Sequence, residues 1–184
     1  MENCSRLILI GSTGRNSGKT YLAAELIRRF KDAPVTALKI TCVERRNGPC
    51  PRGGEGCGGC AINSDFCLEE ECSCGGTKDT ALLRVAGAEK VFWLRCLRSS
   101  LARGFDAVLE HSGGAGPIIC ESNSLSEVVK PAFFIMIRDS SGEKPKPSAE
   151  KVMQKADITL QSPVSAENIE YLLKLLSKKG FNFE

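Results

Sequence analysis

Residues 6–31, RLILIGSTGRNSGKTYLAAELIRRFK, constrain this chain more than any other stretch. Arg6–Ile10 is a short apolar run that ends at Gly11, as a buried strand would. From Gly18 onward, Leu22, Leu26, Ile27 and Phe30 recur at helical spacing and define one apolar face. Between strand and helix lies a turn rich in glycine and serine. Its amides, from Asn16 to Thr20, can converge on an anion at the helix N-terminus, where the helix dipole also favours negative charge. The cofactor-binding set is Gly14, Arg15, Asn16, Ser17, Gly18, Lys19 and Thr20. In it Lys19 reaches the outer phosphates and Thr20 ligates Mg²⁺. The motif G-x-x-x-x-G-K-[ST] asks for glycine at position 13, where the chain has Thr13. Gly11 and Gly14 flank that position, and a displaced positive-φ turn at one of them is the expectation.

The rest of the chain repeats the strand–helix alternation. Val35–Thr41, Lys90–Arg95, Ile118–Glu121, Ala132–Ile137 and Asp157–Leu160 read as further strands. Thr80–Ala88, Arg98–Glu110, a short piece near Ala149–Lys155 and a closing segment capped by Ser165 read as helices. Ala132–Ile137 is apolar throughout, which suits a strand buried on both faces. This order predicts an α/β fold: a doubly wound, mostly parallel sheet of the P-loop NTPase type, in a single domain over residues 1–184. A net charge of +3 calls for no nucleic-acid partner, and no apolar run approaches the ~20 residues of a membrane span. The opening MENCSRLILIG lacks a signal-peptide layout, so a cytoplasmic protein is expected.

Residues 42–77 break the rhythm. Seven of the ten cysteines fall here, and glycine, proline and acidic residues crowd out any apolar period. The stretch reads as a cysteine-rich, metal-binding insertion held by something other than a hydrophobic core. Cys57 and Cys60 form a C-x-x-C with two glycines between, Cys50 is near enough to join them, and Cys72 or Cys74 closes the set. A structural zinc would usually show two separated C-x-x-C pairs, and a ferredoxin-like cluster a run of them, so zinc and iron–sulfur both stay open. Of the remaining cysteines, Cys96 and Cys120 near apolar strand ends read as small core or surface residues.

TGRNSGKT, VTALKI and KDTALLRVAGAEKVFWL together resemble the molybdopterin-guanine dinucleotide biosynthesis protein B family, over most of the chain and including FFIMIRD. The resemblance rests on Gly18–Thr20, Lys39, Lys78–Thr80 and Ala86–Ala88. It implies a GTP- or ATP-binding adaptor, with slow hydrolysis, that serves a metallocofactor-assembly or metalloenzyme partner; a homodimer is open. It places Asp79 near Mg²⁺ or the γ-phosphate, and an acid at the start of a helix, steadied by the dipole, is the alternative. Lys39 is then a second phosphate contact or a strand-end cation. Glu121, ending an apolar strand, is placed to orient the Mg²⁺ shell or water. Lys19, Asp79 and Glu121 thus form the catalytic set, with Thr20 and Asp79 as the Mg²⁺ ligands. Asp139, in IRDSS, is the candidate base contact. The chain departs from the family where cysteines replace its histidine-bearing segment, since the sole histidine, His111, lies elsewhere. A rival reading is a small-molecule phosphotransferase or ligase. It needs an acceptor pocket with an arginine clamp, for which Arg95 and Arg98 are the available residues.

Overall fold

The computed structural model describes residues 2–30, 32–43, 62, 64–73, 75–114, 116–140 and 144–183. Seven strands form one sheet: β1 (Glu2–Ser12), β2 (Thr36–Val43), β3 (Phe66–Glu70), β4 (Lys90–Leu97), β5 (Ile118–Glu121), β6 (Val129–Arg138) and β7 (Ile158–Gln161). Their spatial order is β3-β4-β2-β5-β1-β6-β7, and every neighbouring pair is parallel except β3 with β4. The helices are α1 (Lys19–Arg29), α2 (Asp79–Val85), α3 (Leu101–Ser112), α4 (Pro147–Glu150) and α5 (Ala166–Lys178).

The pleat of β1 explains the two layers. Ile8 and Ile10 point to one face, where Leu22 and Leu26 of α1, Leu83 of α2, and Ile169, Leu172 and Leu176 of α5 cover them. Leu7 and Leu9 point to the other, against Leu101, Phe105 and Val108 of α3. All four β1 side chains are fully buried, as a central parallel strand covered on both faces requires. Apolar area buried at about 25 cal/mol per Å² is the main stabilising term, so the sheet forms a rigid base for its loops. At the end of the chain, Ser165 Oγ accepts from Asn168 N at 3.2 Å while Asn168 Oδ1 accepts from Ser165 N at 3.3 Å. This reciprocal cap starts α5 where the sequence places it.

Two features at the edges of the 42–77 stretch differ from the sequence reading. β2 continues through Val43, so Cys42 is a strand residue, in register with Cys96 of β4. Residues 66–70 form β3, an antiparallel edge strand whose Phe66 and Leu68 pack toward the α3 side. An edge strand needs only alternate apolar residues, and two of them among cysteines and glutamates are easily missed. Cys50, Cys57, Cys60 and Cys74 lie outside the described residues. Cys72 is exposed, and the described residues hold no group of three or more side chains suited to a metal ion.

Candidate functional site

The carboxyl ends of β1, β5 and β2 open onto a cavity of about 830 Å³. Open parallel sheets bind ligands at this edge, and the volume falls in the usual range for small-molecule sites. Five basic side chains line it (Arg15, Lys19, Lys39, Arg98 and Lys146) against two carboxylates, Asp79 and Glu121, among the described residues. The excess of positive charge suits a polyphosphate.

The loop reaches its shape by a different route from the one its glycines suggest. Positive φ falls at Asn16 (52°) and Gly18 (90°), not at Gly11 or Gly14. Gly18 is the N-cap of α1, and its left-handed backbone turns the chain into the helix. Gly14 answers a different need, because a Cβ there would stand 2.2 Å from Asp139 Oδ2. Thr13 occupies the position that the motif gives to glycine, and it is buried. Its N donates to Ile137 O at 3.0 Å, its Oγ1 accepts from Asp139 N at 2.8 Å, and its carbonyl accepts from Lys146 N at 3.0 Å. Thr13 therefore extends the β1–β6 pairing into the loop. Gly14 and Asp139 pack on each other and are not among the residues lining the cavity, so this placement lends no support to a base contact from Asp139.

No side chain caps the N-terminus of α1, which leaves its first amides for a ligand. Arg15 and Asn16 are exposed and Ser17 is buried, and all three line the cavity. Ser17 Oγ is buried without a hydrogen-bond partner. Lys19 Nζ donates to Ser12 Oγ at 2.8 Å, and Ser12 Oγ donates to the Gly14 carbonyl at 2.9 Å. Burial holds the Lys19 ammonium below the usual lysine range; Lys39 adds to this, while Glu121 and Asp79 oppose it. A bound phosphate would restore the charge stabilisation that burial removes.

Glu121 sits between Ile10 of β1 and Lys39 of β2 in register and is only 4% exposed. Its Oε2 accepts from Thr20 Oγ1 at 3.2 Å, and its Oε1 is buried without a partner. Burial pushes its carboxyl above the ordinary glutamate range; Lys39, Lys19 and the Thr20 hydroxyl pull it back, while Asp79 pushes it further up. Asp79 opens α2 and pairs with Lys39 Nζ. The expected residues Lys19, Thr20, Lys39, Asp79 and Glu121 thus meet at one place. Of the two candidate arginines, Arg98 lines the cavity, whereas Arg95 stacks over Trp93 and pairs with Glu69.

Sequence reasoning missed Asn123. Its Oδ1 accepts from Ser12 N at 2.8 Å, and its Nδ2 donates to Ser12 O at 2.9 Å and to Ser148 Oγ at 3.3 Å. This side-chain clamp holds the residue whose hydroxyl receives Lys19, and it also needs the bare Gly11, whose Cβ would lie 2.8 Å from Asn123 Oδ1. Asn123→Ala leaves both Ser12 backbone groups to find water. At about 1–3 kcal/mol for such a loss, the melting temperature should fall by roughly 2–10 °C. Triphosphate affinity should weaken several-fold, and thermal melting with a nucleotide titration checks both.

No protein-family model matches the chain, and no curated protein does. Among solved structures it is similar to LpxK from Aquifex aeolicus, solved as an "apo" form in complex with ATP. The TM-score is 0.55 at 14% identity, over 91% of this chain and 51% of that one, so the chain spans about half the length of LpxK. At that identity the likeness shows the fold alone, a mostly parallel α/β sheet.

Proposed function

We propose that this chain binds a magnesium nucleoside triphosphate, ATP or GTP, and hydrolyses it slowly as an adaptor in the assembly or delivery of a metallocofactor of the molybdopterin type. The observation that carries the nucleotide reading is the meeting of Lys19, Thr20 and Glu121 at the uncapped start of α1. The α1 amides and Lys19 would take the phosphates. Oxygen donors suit Mg²⁺, and the unpartnered, buried Oε1 of Glu121 beside Thr20 fits such an ion, with Asp79 as the further ligand. When bound, that ion neutralises charge on the phosphate oxygens. Glu121 is also placed to orient water. The Lys39–Asp79 pair joins two of the segments that carry the family resemblance, which supports a shared role at the outer phosphate.

The cysteine-rich segment supports the metallocofactor part of the reading. Among its described residues, Val43 and Asp65 both stand at the carboxyl edge of the sheet: Val43 is in register with Leu97, and Leu97 N donates to Asp65 O at 2.9 Å. We place zinc or an iron–sulfur cluster on Cys50, Cys57 and Cys60, completed by Cys72 or Cys74. Protein purified without oxygen should carry zinc or iron at a single site per chain, and a brown colour selects the cluster. Metal-free protein whose thiols all alkylate readily would remove the site.

A phosphotransferase is the second reading, favoured by the extent of the cavity beyond Glu121 to Thr41, Arg98 and Ser124. The fate of a labelled γ-phosphate separates the two. Release as inorganic phosphate, changing with the metal content of the protein, supports the adaptor. Absence of triphosphate binding under any of these conditions defeats both.

A further inference from the structure

At the carboxyl ends of β2 and β4 two cysteines, 54 positions apart in the chain, become neighbours. Cys42 and Cys96 are register partners on adjacent parallel strands. Such strands lie about 4.8 Å apart, and disulfides usually span about 4.4–6.8 Å between Cα atoms, so the backbones already stand at bonding distance. Both side chains pack in the cluster on the α3 face of the sheet. Their surroundings differ. Cys96 is fully buried, whereas Cys42 is partly exposed and lines the cavity.

We propose that Cys42 and Cys96 are a peroxide-sensitive thiol pair, in which Cys42 reacts from the cavity and Cys96 closes a disulfide behind it. The Cys42 thiolate attacks one oxygen of hydrogen peroxide, so an S–O bond forms, the O–O bond breaks and hydroxide leaves. Cys96 sulfur then attacks the Cys42 sulfenic sulfur, forming S–S and breaking S–O. The departing oxygen takes up the Cys96 proton and leaves as water. In sum, two thiols are oxidised by two electrons and one peroxide is reduced to two waters.

The environment assigns these roles. Hydrogen bonding from Cys96 lowers the Cys42 thiol, as do the Ser124 hydroxyl and the Arg98 guanidinium, against burial and the Glu127 carboxylate. The same contact and burial raise Cys96, which suits a resolving thiol held protonated until the sulfenic acid forms. Cys120 on β5 is an internal control. It is fully buried, and burial pushes its thiol well up, so it should stay inert.

Protein purified and reduced without oxygen, then treated briefly with hydrogen peroxide, should yield a Cys42–Cys96 cross-linked peptide on non-reducing mass mapping. Dithiothreitol should reverse the link, and Cys120 should alkylate only after denaturation. In Cys96→Ala, dimedone should trap Cys42 as the sulfenic acid, and in Cys42→Ala the thiol of Cys96 should remain reduced. The wild-type map needs no substitution, so a misfolded variant cannot mask the result. A disulfide from Cys42 to a cysteine between positions 50 and 74, or a reduced Cys42 beside an oxidised Cys72, would overturn the pair. No nucleotide is present in this experiment, so its outcome stands apart from the nucleotide-binding reading.

Discussion

Lys19→Ala should weaken triphosphate binding by roughly ten- to a hundredfold, the effect of losing one charge-assisted phosphate contact of about 1.5–3 kcal/mol. The folded chain should hardly notice. Lys19 is the first residue of α1, its ammonium makes one short bond to Ser12 Oγ, and the apolar face of the helix lies further on, at Leu22, Leu26 and Ile27. Burial already disfavours its charge, so removing the ammonium relieves a cost that offsets the lost bond. Calorimetry should therefore show a large loss of affinity for ATP and GTP alongside a nearly unchanged melting temperature. Unchanged affinity would sink the phosphate role. A collapse in stability would mean that Lys19 supports the loop and not the ligand.

The parts of this site that were legible in the sequence are those coded locally. β1, the loop and α1 follow one another without interruption, and hydrophobic period, glycine and the Lys-Thr pair all point to one geometry. Ile118–Glu121 was readable because an apolar run ends on a single acid, and the structure gives β5 those bounds. What stayed hidden depends on strand order. Asn123 reaches Ser12 across 111 positions, and only the pairing of β5 with β1 brings them together. The Cys42–Cys96 contact likewise needs β4 to lie beside β2, and no local pattern states that order. The missing loop glycine misled for a related reason: Thr13 is supported from a distant strand, its N donating to Ile137 O of β6 and its Oγ1 accepting from the N of Asp139 just beyond that strand.

Glu121→Gln should separate stability from function, because the carboxylate is costly to the empty protein and needed by the filled one. Burial raises its folded pKa above the unfolded value. Below the unfolded value, near 4.3, both states are protonated and the substitution changes little. As pH rises through the window between the two values, the unfolded chain releases its proton first, so wild-type stability falls. Above the folded value the full cost of the buried charge is present. The glutamine variant escapes it, so without nucleotide it should melt a few degrees above wild type at neutral pH, with the gap closing as pH drops toward the ordinary glutamate range. With magnesium and triphosphate the order should reverse. Wild type gains stability from the bound ligand, whereas the variant has an uncharged amide in place of the carboxylate that would face the ion and should gain little. Its turnover should fall by about a hundredfold, the scale of removing one preorganised electrostatic group from a reacting site. Melting curves from pH 4 to 8, with and without magnesium nucleotide, test both halves. A variant less stable than wild type across that range, yet still stabilised by magnesium nucleotide, would make Glu121 a structural acid held by Thr20, Lys19 and Lys39 rather than part of the reaction site.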